Sequence, residues 1–439
     1  MLHTYKEALE WVHSRLRLGI KPGLSRMEWM LEKLGHPEKR IKSIHVGGTN
    51  GKGSTVTYLR SILVEAGYEV GSFTSPYIEQ FNERISINGV PISDEEIVQL
   101  VNAIKPLADE LEKTDYGAPT EFEVITAMAI YYFGEVRPLD FAIFEVGLGG
   151  RFDSTNVIQP LLSIITNIGM DHVQILGNSI EDIAYEKAGI IKEHTPIFTS
   201  VRDEAAFHVI QAEAAKKHAL LFQLGINFTI LNYEPIQAGE QFTFSTTKYT
   251  FEGLQVSLLG KHQTENAAGA IAALLYLTDQ GVMNISESAL RAGLRKAYWP
   301  GRMELLHNDP IILLDGAHNR EGVRAFVDAI QSRYADRNIK LVFSALGDKD
   351  LTEMFTIMNE LDGQLYVTEF DFPRAASANE LKRRSENPTV IANNDWFSLL
   401  KELVSTLEPN DLLAITGSLY FISSIKPDLQ KIIVSEFSK

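Results

Sequence analysis

Short apolar runs alternate along the chain with segments that repeat apolar positions every three or four residues. The second pattern is typical of helices that cover a sheet, and it occurs at residues 94–111 and 122–133. The apolar runs predict buried strands at residues 41–46, 70–73, 141–146, 161–166 and 196–199. This alternation predicts an α/β fold with a mostly parallel sheet and helices on both faces.

Residues 242–258 follow a different pattern. Aromatic and aliphatic residues there alternate with polar residues around turn signals, as in Phe242, Phe244 and Phe251. A period of two is typical of half-buried strands. We therefore expect an antiparallel hairpin region that flanks the main sheet.

A second domain is predicted to begin near residues 299–301. Pro300 and Gly301 end the helical segment 287–297, and the strand–helix alternation starts again after them. Strands are predicted at 311–314, 341–344, 364–369, 389–391 and 412–416, and helices at 321–334, 351–361 and 396–407. The predicted domains are residues 1–298 and residues 299–439, and the second is a smaller, Rossmann-like α/β domain.

Composition excludes several classes of protein. The net charge of −16 argues against duplex nucleic acid as a partner, because such binding depends on neutralisation of phosphates by Lys and Arg. The chain has no cysteine, which excludes disulfides, thiolate metal sites and a thiol nucleophile. No apolar run approaches the roughly 18 residues of a membrane span. We expect a soluble cytoplasmic enzyme without a membrane partner.

The glycine-rich segment 45–54 lies between a predicted strand and a predicted helix. Glycines there allow backbone N–H groups to surround an anion, and the helix N-terminus adds a partial positive charge. Lys52 can reach terminal phosphates, so we call residues 48–53 the phosphate loop. The common pattern places a hydroxyl directly after the lysine, whereas here Gly53 follows and the hydroxyl moves to Ser54 or Thr55. The N-terminal domain is thus predicted to be of the P-loop ATPase type. The alternative is a glycine-rich turn that binds no phosphate and whose lysine faces solvent.

Further polar residues follow other predicted strands, where ligands of open α/β sheets bind. Glu145 is a charge in an apolar strand, which suggests a metal ligand rather than an edge residue facing water. His172 lies in a loop after the strand 161–166 and taken alone is not distinctive. Lys187 lies on a helix, and by itself it is expected to be an ordinary surface lysine.

In the second domain, three polar turns follow strands, at residues 314–319, 346–350 and 416–418. Such turns at strand ends of a second domain suggest a ligand cleft between domains.

Seven motifs, in the family's order, resemble the Mur ligase superfamily, and within it the folylpolyglutamate synthases and dihydrofolate synthases. The resemblance extends from about residue 2 to about residue 425. The motifs are GTNGKGS at 48–54, TSPY at 74–77 with FNERI at 81–85, EVGLGGR at 145–151, DH at 171–172, EKAG at 186–189, RME at 302–304 and DGAHN at 315–319.

The resemblance implies an ATP-dependent amide ligase. Such an enzyme converts a substrate carboxylate to an acyl phosphate, which an amine then attacks. The implied substrates are dihydropteroate, folates that end in glutamate, and L-glutamate. The implied cofactors are ATP, Mg²⁺ at two sites and a carbamylated lysine at Lys187.

The resemblance also assigns roles to individual residues. Lys52, Lys187, His172 and Glu145 are the implied catalytic residues. Ser75 and Glu145 would bind one Mg²⁺, and Glu145 and His172 would help to hold a second. The implied ATP contacts are Asn50, Gly51, Lys52, Gly53, Ser54, Asn266, Arg302 and Asp315. The implied substrate contacts are Ser75, Phe81, Arg84 and Phe122 near the pterin, and His318 and Ser418 near glutamate.

Three alternatives stay open at this stage. The enzyme either performs both additions, which we expect, or only extends folates. Another Mur-type ligase, which adds an amino acid to a cell-wall nucleotide precursor, is a further candidate. From a different class, a nucleotide-binding regulator would bind ATP without turnover. We expect a monomer, although the sequence carries no direct signal of oligomeric state.

Overall fold

The computed structural model describes residues 1–19, 21–347, 349 and 351–437. Within these residues the strands form sheets of eight, three and six strands. The strands of the eight-stranded sheet are β1 (Ser43–Gly47), β2 (Val70–Phe73), β3 (Ile85–Ile87), β4 (Val90–Pro91), β5 (Phe141–Glu145), β6 (Leu162–Ile165), β7 (Ile197–Thr199) and β8 (Leu221–Gln223).

The order of this sheet is β4-β3-β2-β5-β1-β6-β7-β8. Strand β3 is antiparallel to β2 and β4, and the other neighbours are parallel. The carboxyl ends of β2, β5, β1 and β6 therefore lie side by side along one edge. Every predicted polar cluster that follows these four strands is brought to that edge.

Helices pack on both faces of the large sheet, as predicted. They are α1 (Tyr5–His13), α2 (Ser25–Lys33), α3 (Lys52–Glu65), α4 (Asp94–Leu111), α5 (Glu121–Tyr131), α6 (Val173–Leu176), α7 (Ile180–Ala188), α8 (Glu204–Lys216), α9 (Lys261–Asp279) and α10 (Glu287–Lys296). In α4, Ser93 and Glu96 form a reciprocal N-terminal cap, and the apolar residues from Ile97 to Leu111 face the core. The predicted helix 122–133 ends as α5 at Tyr131 and continues as one π-turn, Tyr132–Val136.

The three-stranded sheet consists of β9 (Phe228–Ile236), β10 (Gly239–Thr246) and β11 (Thr250–Val256), in the order β11-β10-β9. The loops between consecutive strands are too short for a parallel crossover, so the strands are antiparallel. The predicted antiparallel hairpin region is confirmed. It begins earlier than expected because β9 is a third strand that precedes the predicted segment. The exposed residues of β9 include the apolar Leu231 and Pro235 beside the polar Asn232 and Glu234, so the strand shows no regular alternation in the sequence.

The six-stranded sheet contains β12 (Glu304–Asn308), β13 (Ile311–Leu314), β14 (Asn338–Phe343), β15 (Gly363–Thr368), β16 (Ile391–Asn393) and β17 (Asp411–Thr416). Its order is β12-β13-β17-β14-β15-β16, and all neighbours except β12 and β13 are parallel. Its helices are α11 (Arg320–Tyr334), α12 (Leu351–Met358), α13 (Ala378–Ser385), α14 (Trp396–Ser405) and α15 (Leu419–Phe437). The predicted Rossmann-like α/β character is confirmed.

Residue contacts group the chain into two compact units. One comprises Met1–Leu231, Thr243–Leu254 and Glu265–Ala297, and the other comprises Asn232–Phe242, Gln255–Thr264 and Tyr298–Lys439. Each unit has its own buried apolar cores. Among the described residues, no helix combines the length and apolar character needed to cross a bilayer.

Candidate active site

The phosphate loop joins the central strand β1 to helix α3, and its backbone leaves no room for side chains at two positions. Gly48 has φ +139°, and a Cβ there would lie 2.0 Å from Thr166 Oγ1. Gly51 has φ +83°, and a Cβ there would lie 2.3 Å from Asn266 Oδ1. Glycine is therefore required by both conformation and space. The predicted Asn266 lies directly against the loop.

The loop is held by hydrogen bonds from its own lysine and from the segment after β6. Lys52 Nζ donates to the carbonyl oxygens of Gly48 at 3.2 Å and Thr49 at 3.0 Å. Thr166 Oγ1 donates to the carbonyl oxygen of Asn50 at 2.5 Å, and the N–H of Asn50 donates to Asn167 Oδ1 at 2.7 Å. No role was predicted for Thr166 or Asn167 from the sequence. Their position at the end of β6, beside β1, was the available signal.

Glu145 ends strand β5 and lies beside the segment that follows β2. Its side chain is only 4% exposed, so the alternative of an edge glutamate facing water is wrong. Its Oε2 accepts a hydrogen bond from the N–H of Ser75 at 3.3 Å. The two residues assigned to one Mg²⁺ are thus neighbours, and their carboxylate and hydroxyl are the hard oxygen donors that this ion prefers.

Lys187 is buried against the phosphate loop. It lies near the end of α7, whose N-terminus is capped by Ser179, and its Nζ donates to the carbonyl oxygen of Gly48 at 3.0 Å. Its exposure is 4%, so the expectation of an ordinary surface lysine is wrong. Burial, and then repulsion from the Lys52 cation, lower the pKa of the Lys187 ammonium to about 7, although Asp171 and Asp153 act in the opposite direction.

Asp153 is a buried carboxylate near Lys187 that sequence reasoning missed. Thr155 donates to Asp153 through its N–H at 3.0 Å and its hydroxyl at 2.5 Å, and the N–H of Leu148 donates at 2.8 Å. These bonds fix the turn that follows Glu145. Burial raises the pKa of Asp153, and the same hydrogen bonds oppose that rise. The sequence feature that could have identified Asp153 is its position as an acidic residue shortly after a glycine-rich turn.

His172 is the most exposed of the predicted catalytic residues. It precedes α6 with φ +52°, its side chain is 47% exposed, and its Nε2 lies 3.9 Å from Asp171 Oδ2. In the described part of the chain, no group of three or more histidine and acidic side chains is arranged to hold a metal ion.

The predicted pterin contacts lie after β2 and on α5. The Arg84 guanidinium lies over the rings of Tyr77, at 5.3 Å, and Phe81, at 5.8 Å. Phe81 is buried in the apolar core, whereas Phe122 is partly exposed and its ring lies 5.8 Å from that of Phe73. This arrangement gives a guanidinium on an aromatic surface beside the Ser75 segment.

In the second unit, Asp315 and Arg302 are neighbours at the end of β13. Asp315 Oδ2 accepts from the N–H of Met303 at 2.9 Å, and Oδ1 accepts from the N–H of Ala317 at 2.8 Å. Burial raises the pKa of Asp315, and attraction to the Arg302 cation opposes that rise. His318 Nδ1 lies 2.8 Å from the carbonyl oxygen of Gly316 and donates to it.

Ser418 follows β17, which is the direct neighbour of β13. Its side chain is buried, and its Oγ accepts from the N–H of Tyr420 at 3.2 Å. Pairing of Leu314 with Ile415 brings Ser418 to the same sheet edge as Asp315. Of the second predicted turn, 346–350, the residues Asp348 and Asp350 lie outside the described part of the chain.

Comparison with known proteins gives matches along almost the whole chain. The profile of the Mur ligase middle domain matches residues 46–274, and that of the Mur ligase glutamate ligase domain matches residues 301–419. The dihydrofolate synthase/folylpolyglutamate synthase of Bacillus subtilis (strain 168) is 51% identical over 98% of this chain and 100% of the relative. The folylpolyglutamate synthase of Lacticaseibacillus casei is 33% identical over 97% of this chain and 99% of the relative.

A solved structure gives the same result. The folylpolyglutamate synthase of Mycobacterium tuberculosis complexed with ADP aligns with a TM-score of 0.88 and 29% identity, covering 97% of this chain and 98% of that one. The motifs, the fold and these matches agree over nearly the full length. This chain belongs to the Mur ligase family, within the group of dihydrofolate synthases and folylpolyglutamate synthases.

Proposed function

We propose that this chain is an ATP-dependent ligase that adds L-glutamate to dihydropteroate and to folyl glutamates. The supporting observation is that Lys187 of α7 contacts the phosphate loop and Glu145 ends the adjoining strand β5. The chain also matches, over 98% of its length, a relative named for both activities. Binding of ATP is supported by the ADP complex of the Mycobacterium tuberculosis relative.

In the proposed reaction, a carboxylate oxygen of the acceptor attacks the γ-phosphorus of ATP, and the bond to ADP breaks. The amine of glutamate then attacks the carbonyl carbon of the acyl phosphate, phosphate leaves with the bonding electron pair, and the nitrogen loses a proton. Two unit charges 4 Å apart repel by about 4 kcal/mol at an effective dielectric constant near 20. The Lys52 cation and the N-terminus of α3 offset this repulsion and stabilise the transferred phosphoryl group.

Mg²⁺ fits the donors at Ser75 and Glu145. The Ser75 hydroxyl and the buried Glu145 carboxylate offer oxygen ligands, and substrate phosphates ordinarily complete such sites. Bound there, Mg²⁺ would neutralise phosphate charge. We also propose that Glu145 and His172 help to hold a second Mg²⁺. His172 would contribute one nitrogen, and ATP or water would contribute oxygens.

We also propose carbamylation of Lys187. A neutral amine attacks the carbon of CO₂, and loss of a proton gives a carbamate anion. Burial favours the neutral amine that this step needs, and the nearby Lys52 would pair with the anion formed. In freshly prepared protein equilibrated with ¹³C-labelled CO₂, a carbamate carbon signal that is lost in Lys187→Ala supports the modification.

The remaining assigned contacts are part of the same proposal. Asn50, Gly51, Lys52, Gly53 and Ser54 would surround the phosphates of ATP. Support comes from the contact geometry that places Asn266 on the phosphate loop and Arg302 beside Asp315. Asn266, Arg302 and Asp315 would make further contacts with ATP. Phe81, Arg84 and Phe122 would contact the pterin, and His318 and Ser418 would contact glutamate.

The proposal includes an organisation into an ATP-binding domain, residues 1–298, and a glutamate-ligase domain, residues 299–439. The matches to two separate family profiles support this division. A cytoplasmic monomer that binds neither nucleic acid nor membranes remains our expectation. Light scattering during size-exclusion chromatography tests the monomer.

The test is phosphate release with ATP and L-glutamate, measured separately with dihydropteroate, a tetrahydrofolate monoglutamate and a UDP-muramyl acceptor. Turnover with both pteroyl acceptors, and products heavier by one glutamate residue, is expected. Turnover with the tetrahydrofolate alone would leave a folylpolyglutamate synthase. Turnover only with the UDP-muramyl acceptor would replace the proposal by the cell-wall alternative, and nucleotide binding without any turnover would indicate a regulator.

A further inference from the structure

A buried ion pair joins the C-terminal helix to strand β12 in the second unit. Lys426 Nζ, on α15, donates to Glu304 Oε1 at 2.7 Å, and the two side chains are only 2% and 6% exposed. Removing both charges from water is costly, so such a pair is weak evidence of stabilisation. The contacts of the Glu304 carboxylate indicate what the pair holds in place.

Both oxygens of Glu304 bind the turn that precedes Arg302. Oε1 also accepts from the hydroxyl of Tyr298 at 2.6 Å, and Oε2 accepts from the N–H of Gly301 at 2.8 Å. Gly301 has φ +67°, a conformation that favours glycine. Glu304 therefore fixes both ends of the segment 298–301.

This turn determines where Arg302 lies. The carbonyl oxygen of Gly301 accepts from the N–H of Gly316 at 2.9 Å and from Arg302 Nη1 at 3.3 Å. A Cβ at Gly316 would lie 2.5 Å from the same Nη1, so the guanidinium packs closely over that glycine. The residue after Arg302 is fixed as well, because the N–H of Met303 donates to Asp315 Oδ2 at 2.9 Å.

We infer that Glu304 and Lys426 are positioning residues for Arg302 and, through it, for ATP. The inference rests on the proposed contact of Arg302 with ATP. Lys426 neutralises Glu304 inside the protein. Without this lysine, a buried carboxylate two residues from Arg302 would attract its guanidinium and draw it away from the nucleotide.

The test compares Lys426→Met, Glu304→Gln and the double variant by the KM for ATP, the KM for glutamate, kcat and the melting temperature. Lys426→Met is expected to raise the KM for ATP about tenfold, because a displaced Arg302 would lose a charged hydrogen bond to ATP and such a bond is worth about that much. The KM for glutamate should change little. The double variant removes the charge of Glu304 but keeps an amide oxygen that can accept from the N–H of Gly301, so the KM for ATP should return to within about threefold of the wild-type value.

A control is the ion pair of Lys340 and Asp411, whose side chains are 22% and 6% exposed. It lies in the same sheet, at the amino end of β14 and β17, and Lys340 Nζ donates to Asp411 Oδ2 at 2.9 Å. Lys340→Met should lower the melting temperature and leave the KM for ATP unchanged. If Lys426→Met behaves in the same way, the pair serves only to hold the helix, and the inference is wrong.

Two further variants keep the test decisive. Tyr298 is exposed at 56%, so Tyr298→Phe should fold and still remove one bond to Glu304; a rise of about twofold in the KM for ATP is expected, and no rise opposes the inference. Arg302→Ala should raise the KM for ATP more than that for glutamate. If Arg302→Ala raises the two KM values equally while ligation persists, the proposed contact between Arg302 and ATP is wrong. That outcome differs from the one in which Lys426→Met leaves the KM for ATP unchanged.

Discussion

The ammonium of Lys187 donates a hydrogen bond to the carbonyl oxygen of Gly48 at 3.0 Å. This contact joins helix α7 to the phosphate loop, and it places two lysines, Lys187 and Lys52, on the same carbonyl oxygen. Two cations this close repel, and burial adds to the cost. A negative group brought to this site, either a phosphate or a carbamate, would relieve both effects.

Lys52→Ala is expected to reduce kcat by about 100-fold or more, because the lysine stabilises charge on the transferred phosphoryl group. Phosphate release under saturating substrates measures the effect. Lys6→Ala, at a largely exposed lysine of the same unit, is the control and should leave kcat unchanged. Turnover close to that of the wild type would remove Lys52 from the mechanism.

Lys187→Ala is expected to lose activity and to regain part of it with short carboxylic acids such as formate or acetate. The acid would occupy the space of the missing carbamate and supply its negative charge. Titrating acetate against phosphate release measures this recovery, with potassium chloride at equal ionic strength as the control. Recovery with both salts alike would contradict a specific role for the carboxylate.

The stability of the protein should depend on pH through Lys187. Its pKa falls from 10.5 to about 7 on folding, so between these values the unfolded chain binds more protons than the folded one. The free energy of unfolding should then rise with pH across this interval, and the contribution should be flat below pH 7. Urea unfolding at pH 7 and pH 9 in CO₂-free buffer should give a smaller rise for Lys187→Met. Equal slopes would mean that Lys187 does not titrate in this range.

Asn167→Asp is expected to raise the KM for ATP by about tenfold or more. The aspartate can still accept the hydrogen bond from Asn50, so the loop keeps its conformation while a negative charge is placed beside the triphosphate. The matched control is Asn227→Asp, since Asn227 Oδ1 accepts from the N–H of Gln223 at 2.8 Å in the same way. An unchanged KM in Asn167→Asp would place the phosphates away from Asn167.

Gly48→Ala is expected to destabilise the protein by about 2 kcal/mol or more, because the methyl group meets Thr166 and the backbone conformation disfavours alanine. Gly67→Ala separates the two causes, since Gly67 also has a positive φ but no neighbour within 4 Å of a Cβ. Chemical denaturation of both variants measures the difference. A cost no larger at Gly48 than at Gly67 would rule out the steric contribution.

The sequence predicted most of the fold because its signals are local. Apolar runs identified β2 and β13 to the residue, and the apolar period of residues 94–111 identified α4 with its observed bounds. Boundaries shifted where polar residues extend a strand, as at Asn338 in β14, which begins before its apolar run. The third strand of the antiparallel sheet was missed because its exposed residues mix apolar and polar types, which leaves no regular alternation in the sequence.

The candidate site was predicted less completely, because burial is not a local property. A lysine on a helix is ordinarily exposed, and only packing against the phosphate loop makes Lys187 buried and easily deprotonated. Asn167 acts through a hydrogen bond to a residue 117 positions away. The connection from Lys426 to Glu304 spans 122 positions and has no pattern in the sequence.

The position of Lys426 has a practical consequence for handling the protein. Because this lysine lies within α15, a version shortened ahead of residue 426 would lose more than a peripheral helix: it would leave the Glu304 carboxylate without its cation. Shortened forms made for crystallisation should therefore retain α15, and fused reporters are better attached after it than inserted within it.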